Sequence, residues 1–347
     1  MSTAAAEVMD FPNVPKADWS CPNATQVLRY DAPKTQWLEE RTKGIGGSDA
    51  AKIMGFDPWA GPYDVWLSKM GRGEEKETNL AMRLGQLMEE PLITLFEENT
   101  GLTVQRKGLM QSKTHPFMRV SVDGLVSDGG IFEAKTTRMQ MRDEWADGQV
   151  TDRAEIQVQH GLAVTGRSHA WVVVMIGGEL QEFRRVERDE ELIKTIIEME
   201  ERFWTEHVLA GKAPEPIAAD LETVKQRHGL AVRETIAAGS AEQHLIEQLF
   251  AQKQVVKEAE KVEADLEAKV REAFGSADEM SVHGVEIASN VQNGTFSAKK
   301  FAAQYPELAK ELVVMKPALD MDTIKDKHPK KYTACRARVI RQIKPKK

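Results

Sequence analysis

Asp123, Glu133 and Lys135 are the residues whose types and spacing most directly suggest chemistry. Glu133 and Lys135 are one residue apart in Ile131-Phe132-Glu133-Ala134-Lys135, which reads as a strand. Side chains alternate across a strand, so both project from one face. The turn Ser127-Asp128-Gly129-Gly130 before them forms a hairpin that returns Asp123 to their side. Two carboxylates and an ammonium then converge. Hard divalent cations such as Mg²⁺ take oxygen ligands, so Asp123 and Glu133, with the backbone carbonyl of Ala134, could hold one against a phosphate. Lys135 would orient or help deprotonate an attacking water and offset charge on the phosphate oxygens.

A Glu-x-Lys pair alone is a weak signal, because alternating charges are common on exposed strands. Here the pair sits among residues that read as buried (Ile131, Phe132, Ala134), and Asp123 follows Val120-Ser121-Val122. Upstream, Glu89 falls on the apolar side of a long helix, next to Leu92 one turn on, where a charge needs a partner. It is a candidate third metal ligand, for a second ion, and Glu90 is the solvent-facing acid. In Glu155-Ile156-Gln157-Val158-Gln159-His160, Gln157 could bond a phosphate, a water or Lys135, or cap a local carbonyl, while His160 reads as a helix-surface residue. Arg41 and the turn Gly46-Gly47-Ser48 before a short helix offer a guanidinium, a hydroxyl and amide hydrogens to an anion, although glycine-rich helix starts also arise from plain capping.

The elements that must position these groups follow from periodicity. Residues 1–34, rich in Ala, Pro and Asn, read as an arm over the surface. Short helices are expected from Gly47 to Met54 and from Pro62 to Gly71, and a long one, buried on one side, from Asn79 to Thr100. Strands and the hairpin occupy 102–137, a helix runs from Thr151 to Thr165, and the apolar run Ala170 to Ile176 is a central strand with a returning strand near Leu180 to Val186. A helix from Asp189 to Leu209 completes an α/β core over residues 35–215, closed by the linker Gly211-Lys212-Ala213-Pro214-Glu215-Pro216. Residues 216–347 read as a C-terminal extension. Glu242 to Phe274 carries a narrow stripe (Val255, Ala259, Val262, Leu266, Val270) that suits one arm of a local helical hairpin better than an intermolecular coiled coil. Strands at Val282 to Val291 and Ala337 to Ile343, with a helix from Ala298 to Leu312 between them, complete a small α/β region.

Of the 347 residues, 41% are apolar and 29% charged, the balance of a soluble globular protein. No apolar run is long enough to span a bilayer and no basic-then-apolar leader opens the chain, so a cytoplasmic protein is expected. The net charge of -7 argues against nucleic acid in bulk, yet from Thr323 onward ten Lys/Arg face one acid, Asp326. This basic tail is either simply solvated or holds DNA or a partner. Cys21 and Cys335 are too few for a four-thiolate cluster.

Taken in order, Arg41, Gly44-Ile45-Gly46-Gly47-Ser48-Asp49-Ala50-Ala51, Gly85 to Glu89, Ser121-Val122-Asp123-Gly124-Leu125, Glu133-Ala134-Lys135-Thr136 and Gln157-Val158-Gln159-His160 resemble the YqaJ-type viral recombinases, relatives of lambda exonuclease. The resemblance spans roughly Arg41 to Leu209. It implies a PD-(D/E)XK restriction-endonuclease-like core, a central mixed sheet flanked by helices, here with a C-terminal helical and mixed α/β extension. It also implies an Mg²⁺-dependent 5′-to-3′ exonuclease, with Mn²⁺ as a substitute and two ions per site, that digests linear double-stranded DNA ends to 3′ overhangs for a phage single-strand annealing protein. A homotrimeric ring around the duplex and a phage or prophage origin in a bacterial host cell are implied as well. By this resemblance Asp123, Glu133 and Glu89 match metal ligands, Lys135 the catalytic lysine and Gln157 the helix glutamine. Arg41, Ser48 and Gly47 match the 5′-phosphate pocket. The family's proline is replaced by Val122, and the basic residue expected after the lysine is either Arg138 or Arg142.

Two alternatives stand beside this reading. One is a structure- or sequence-specific endonuclease on the same fold, separated by its indifference to free ends. The other is a catalytically inactive DNA-binding recombination accessory protein, which would have no need of three converging charges.

Overall fold

The structure is a computed structural model that describes residues 17–73, 80–181, 183–228, 236–275, 277, 279–289, 301, 303–311 and 321–329. The chain divides into two compact units between Arg227 and His228.

In the first unit the arm is not featureless. It contributes β1 (Ala24–Gln26), and α1 (Lys34–Thr42), α2 (Gly47–Ile53), α3 (Pro62–Lys69) and the 21-residue α4 (Leu80–Thr100) follow. Short strands β2 (Val104–Gln105), β3 (Met110–Ser112) and β4 (Arg119–Val120) lead to the hairpin of β5 (Gly124–Val126) and β6 (Gly130–Thr137). Helix α5 (Asp152–Thr165) crosses over to β7 (His169–Ile176), and β8 (Glu179–Leu180), β9 (Arg184–Glu187) and α6 (Glu190–Phe203) follow. A six-stranded mixed sheet runs β2-β5-β6-β7-β8, with β9 also on β7, and β1-β3-β4 form a second, antiparallel sheet. Strands β6 and β7 are parallel, joined by α5, and the other pairings in the large sheet are antiparallel. This is the expected central mixed sheet flanked by helices.

Each face of the sheet has its own core. Ile131, Ala170, Val172 and Val174 pack with Leu162 and Val158 of α5, on which α2 and α6 also lie. Phe132, Val126 and Val173 pack with Leu92, Ile93 and Phe96 of α4. Phe96 stacks edge-on against Phe132, with ring centroids 5.3 Å apart, and leans on Trp171 and Phe183. The buried stripe expected along all of α4 is present only from Leu92 onward, since Leu80, Leu84 and Leu87 are 85, 52 and 56% exposed. Helical period alone does not say how far a helix outruns the sheet beneath it.

Asp128 fastens the hairpin turn, accepting from Gly130 N, from His169 Nε2 at 3.0 Å and from Trp171 Nε1 at 2.9 Å. Burial works to raise its pKa but is outweighed by these donors, which hold it at about 2. Arg167 ties the arm to this turn: its guanidinium donates to the carbonyls of Asp18, Ser20, Val126 and Gly129.

The unit runs on past residue 215. After the linker, a single 3-10 turn (Ala218–Asp220) and α7 (Leu221–Arg227) fold back onto α3. Asp220, fully buried, accepts from the backbone N–H groups of Gly61, Tyr63 and Asp64 and so caps the start of α3 from far along the chain.

In the second unit α8 (Ser240–Phe274) is a single 35-residue helix, and β10 (Glu279–Val282) and β11 (Val285–Ser289) form an antiparallel hairpin. The stripe on α8 is open, with Val255, Val262 and Leu266 59, 58 and 56% exposed. Helices α9 (Pro306–Glu311) and α10 (Met321–Lys327) are short. The expected strand Ala337 to Ile343, the flanks of the helix expected from Ala298 to Leu312, and the basic tail from Lys330 lie outside the described residues.

Candidate active site

Alternation along β6 builds the site. Phe132 and Ala134 turn toward α4, whereas Ile131, Glu133 and Lys135 turn toward α5. There they meet Gln157, one helical turn into α5. Lys135 Nζ donates to Glu133 Oε1 at 2.6 Å and to Gln157 Oε1 at 2.8 Å, and Gln157 Nε2 donates to Glu133 Oε1 at 2.6 Å. The three side chains close a triangle in which both ends of the amide are used, fixing its orientation. Of the uses open to Gln157, bonding Lys135 is the one the geometry adopts.

Asp123 lies just before β5, in the register that sets Gly124 opposite Phe132, and its Oδ2 accepts from Ala134 N at 2.9 Å. Burial drives its pKa well above the ordinary carboxylate value, and the charges of Glu133 and Glu89 push the same way against the Ala134 N–H and Lys135. Two oxygen-donor carboxylates that repel each other in a partly buried site suit a hard divalent cation, which would relieve that repulsion. The donor set therefore fits such an ion.

Glu89 comes from α4, on the other face of the sheet. Its Oε2 accepts from Arg106 NH1 at 3.1 Å, and the same nitrogen donates to the Asp123 carbonyl at 2.9 Å, so Arg106 bridges the helix to the Asp123 segment. Glu90 is the more exposed acid, as its position on α4 suggested, and pairs with Arg106 at 2.7 Å. Among the described residues no three His, Cys, Asp or Glu side chains gather closely enough to form a metal cage by themselves. Arg106 follows the short edge strand β2 and has no motif around it, so nothing in the sequence singled it out.

Arg41, Gly46, Gly47 and Ser48 line one pocket together with Glu133 and Gln157. The Arg41 guanidinium lies over the Trp37 ring at 5.1 Å and reaches Ser48 Oγ and Asp49 Oδ1, each at 3.4 Å. Beneath it is a buried ion pair, Lys69 Nζ to Asp49 Oδ2 at 2.6 Å. Burial alone would raise the Asp49 pKa, but Lys69, Arg41 and Lys52 overcome it and hold the carboxyl far below its usual range. Asp49 Oδ2 also accepts from Gly46 N, the reach-back expected of an acid three residues after a helix cap. Lys69 itself carried no local signal.

The remaining candidates lie elsewhere. Gln159 is buried and structural, bonding the Glu187 carbonyl and Asp189 N. His160 is fully buried rather than on the helix surface: Nδ1 meets Glu200 Oε1 at 2.7 Å and Nε2 meets the Arg119 carbonyl at 2.9 Å. The face of α5 that lacks sheet contact is covered by α2 and α6, which the helical period could not reveal. Arg138 is exposed at the end of β6, and Arg142 pairs with Glu179 at 2.9 Å on the surface. Neither is drawn into the pocket lining.

Residues 36–168 match the model of the YqaJ-like viral recombinase domain. The protein YqaJ of Bacillus subtilis (strain 168), itself uncharacterized, is 31% identical over 284 residues, which cover 79% of this chain and 89% of YqaJ. Among solved structures, an alkaline exonuclease of Laribacter hongkongensis aligns at 22% identity and a TM-score of 0.44, over 56% of this chain and 98% of that one. A phage-related exonuclease of Haemophilus somnus aligns at 15% identity and a TM-score of 0.36, over 51% of this chain and 100% of that one. With 31% identity across nine-tenths of YqaJ and the domain match over the segment that carries Arg41, Asp123, Glu133, Lys135 and Gln157, the chain belongs to the YqaJ-like viral recombinase family.

Proposed function

We propose that the protein is a metal-dependent deoxyribonuclease, a 5′-to-3′ exonuclease that digests one strand of linear duplex DNA from its ends and leaves 3′ overhangs for recombination by strand annealing. The observation that carries this reading is the Glu133–Lys135–Gln157 triangle, tied through Ala134 to Asp123 and opening on a pocket that also holds Arg41 and Ser48. Cleavage and recognition of an end would then share one cavity.

In this reading Asp123 and Glu133, with the Ala134 carbonyl, hold a Mg²⁺ ion, which Mn²⁺ can replace, and Glu89 serves a second. Such ions polarise a phosphate and lower the pKa of a bound water. Lys135, pinned between Glu133 and Gln157, orients the attacking water and offsets charge on the phosphate oxygens. Arg41, Ser48 and the Gly47 backbone receive the 5′-phosphate, and Arg138 or Arg142 touches DNA beyond. A trimeric ring, a phage annealing protein as partner and a bacterial cytoplasmic setting belong to the same proposal. Among the described residues no helix is long and apolar enough to cross a membrane.

The test is digestion of linear and closed circular duplex DNA by purified protein with Mg²⁺, with either strand end labelled. Early loss of the 5′ label from linear DNA, with the circle intact, is the expected result. Cutting of the circle would replace the exonuclease with an endonuclease, and no cutting of either would leave a DNA-binding accessory protein.

A further inference from the structure

We infer that Arg119 is a second arginine of the phosphate pocket and a determinant of its specificity for a terminal phosphate monoester. This rests on the reading of the pocket above and extends it to a residue that no motif marks.

Arg119, on β4, lines the same cavity as Arg41 and Ser48 and is only 8% exposed. Its hydrogen bonds both leave from NH1, to the Glu40 carbonyl at 3.0 Å and to Glu40 Oε2 at 2.6 Å. Its buried Nε has no partner among the described residues. A guanidinium has five N–H donors, and burying one unmet is costly unless something else in the site compensates.

Charge points the same way. The groups linked beside Arg41 and Arg119 are three cations, Arg41, Lys69 and Arg119, against two carboxylates, Asp49 and Glu40, while Glu133, which also lines the cavity, is paired with Lys135. Lys43, on the solvent side, is shared between Glu40 and Glu39 and leaves the balance unchanged. The cluster therefore has an excess of cation beside a cavity, and an anion there would complete it. A terminal phosphate monoester carries roughly 1.5 to 2 negative charges near neutral pH, whereas a phosphate within the DNA chain carries about one. Two guanidinium forks suit the monoester, and a free hydroxyl end offers them nothing.

The backbone gives Arg119 room and support. A Cβ at Gly44 would lie 2.8 Å from Arg119 Cδ, so the chain passes directly over the arginine stem. The Arg119 carbonyl is braced from behind by His160, which Glu200 holds in turn.

If Arg119 served only to anchor the end of α1 through Glu40, its loss would slow all DNA ends alike. The experiment compares initial rates on duplexes with 5′-phosphate and 5′-hydroxyl ends for wild type, Arg119→Gln and Arg119→Lys. The expected result is a fall of at least about tenfold in the phosphate-to-hydroxyl rate ratio for Arg119→Gln. Arg119→Lys keeps a charge opposite Glu40 and so protects the fold, but lacks the fork, and should lower the ratio about threefold. If Arg119→Gln fails to fold, Arg119→Lys decides alone. A wild type that prefers 5′-phosphate while the folded variants keep its ratio would overturn this inference and leave the pocket reading intact. A wild type indifferent to the 5′-phosphate would overturn both.

Discussion

Lys135 on β6 and Gln157 on α5 meet at 2.8 Å, and each also touches the same oxygen of Glu133. A lysine is a flexible four-carbon stem with a mobile ammonium. The amide and the carboxylate remove that freedom, so the ammonium is in place before substrate arrives. The strand supplies the charges and the crossover helix supplies their alignment.

Replacing Gln157 with Ala should therefore lower kcat by about 10–100-fold, the range seen when a supporting partner of a reactive group is removed. KM for DNA should change little. Steady-state kinetics on a linear duplex checks this, and a raised KM with unchanged kcat would make Gln157 a DNA-binding residue instead.

Asp123→Asn should reduce cleavage by on the order of 10³-fold while DNA binding persists, because the carboxylate is needed for the reaction and not for backbone contacts. The same variant should lose the stabilisation that Mn²⁺ gives the wild type, about 2.7 kcal/mol at one hundred times Kd. Urea unfolding with and without Mn²⁺ measures the second effect independently of activity. Equal stabilisation of both proteins would remove Asp123 from the ion site.

Asp220→Ala should cost about 2–4 kcal/mol, since it strips the N–H groups of Gly61, Tyr63 and Asp64 of their acceptor in a buried setting. The shift in urea midpoint of the full chain reports it. A cost below about 0.5 kcal/mol would mean that water replaces the carboxylate there.

Asp128 gives a pH signature. Its pKa is pushed down to about 2 from an ordinary 3.8, so the stabilisation it provides is complete above pH 3.8 and disappears as pH falls through about 2. A shift of that size corresponds to about 2–3 kcal/mol. Between pH 5 and pH 2 the wild type should lose stability more steeply than Asp128→Asn. Parallel curves would show that the carboxylate is not what fastens the hairpin.

What the sequence made legible was local. Alternation placed Glu133 and Lys135 together, the turn at Asp128 returned Asp123, and the helical period put Gln157 on a side of α5 that could face them. The groups that escaped are partners met at long range. Asp220 caps α3 from 157 residues beyond Tyr63, Arg106 joins Glu89 to the Asp123 carbonyl, and Lys69 neutralises Asp49 from inside the core. Each is an ordinary polar residue in its own window, and only the folded chain decides which buried charge it answers. The same limit explains His160. An amphipathic pattern identifies one apolar face, but α5 is covered on its other sides by α2 and α6.

The two-sided burial of β6 also protects the chain against its own misassembly. If the strand slipped by one residue against β7, Glu133 and Lys135 would enter the aromatic layer of Phe96 and Trp171, and Phe132 would be pushed toward the open pocket. Two charges without partners in that layer would cost several kcal/mol, a large share of the whole stability of a typical domain. An out-of-register copy should then unfold and try again rather than persist as an inert protein. The residues proposed to cut DNA would thus also act as proofreaders of the sheet that carries them.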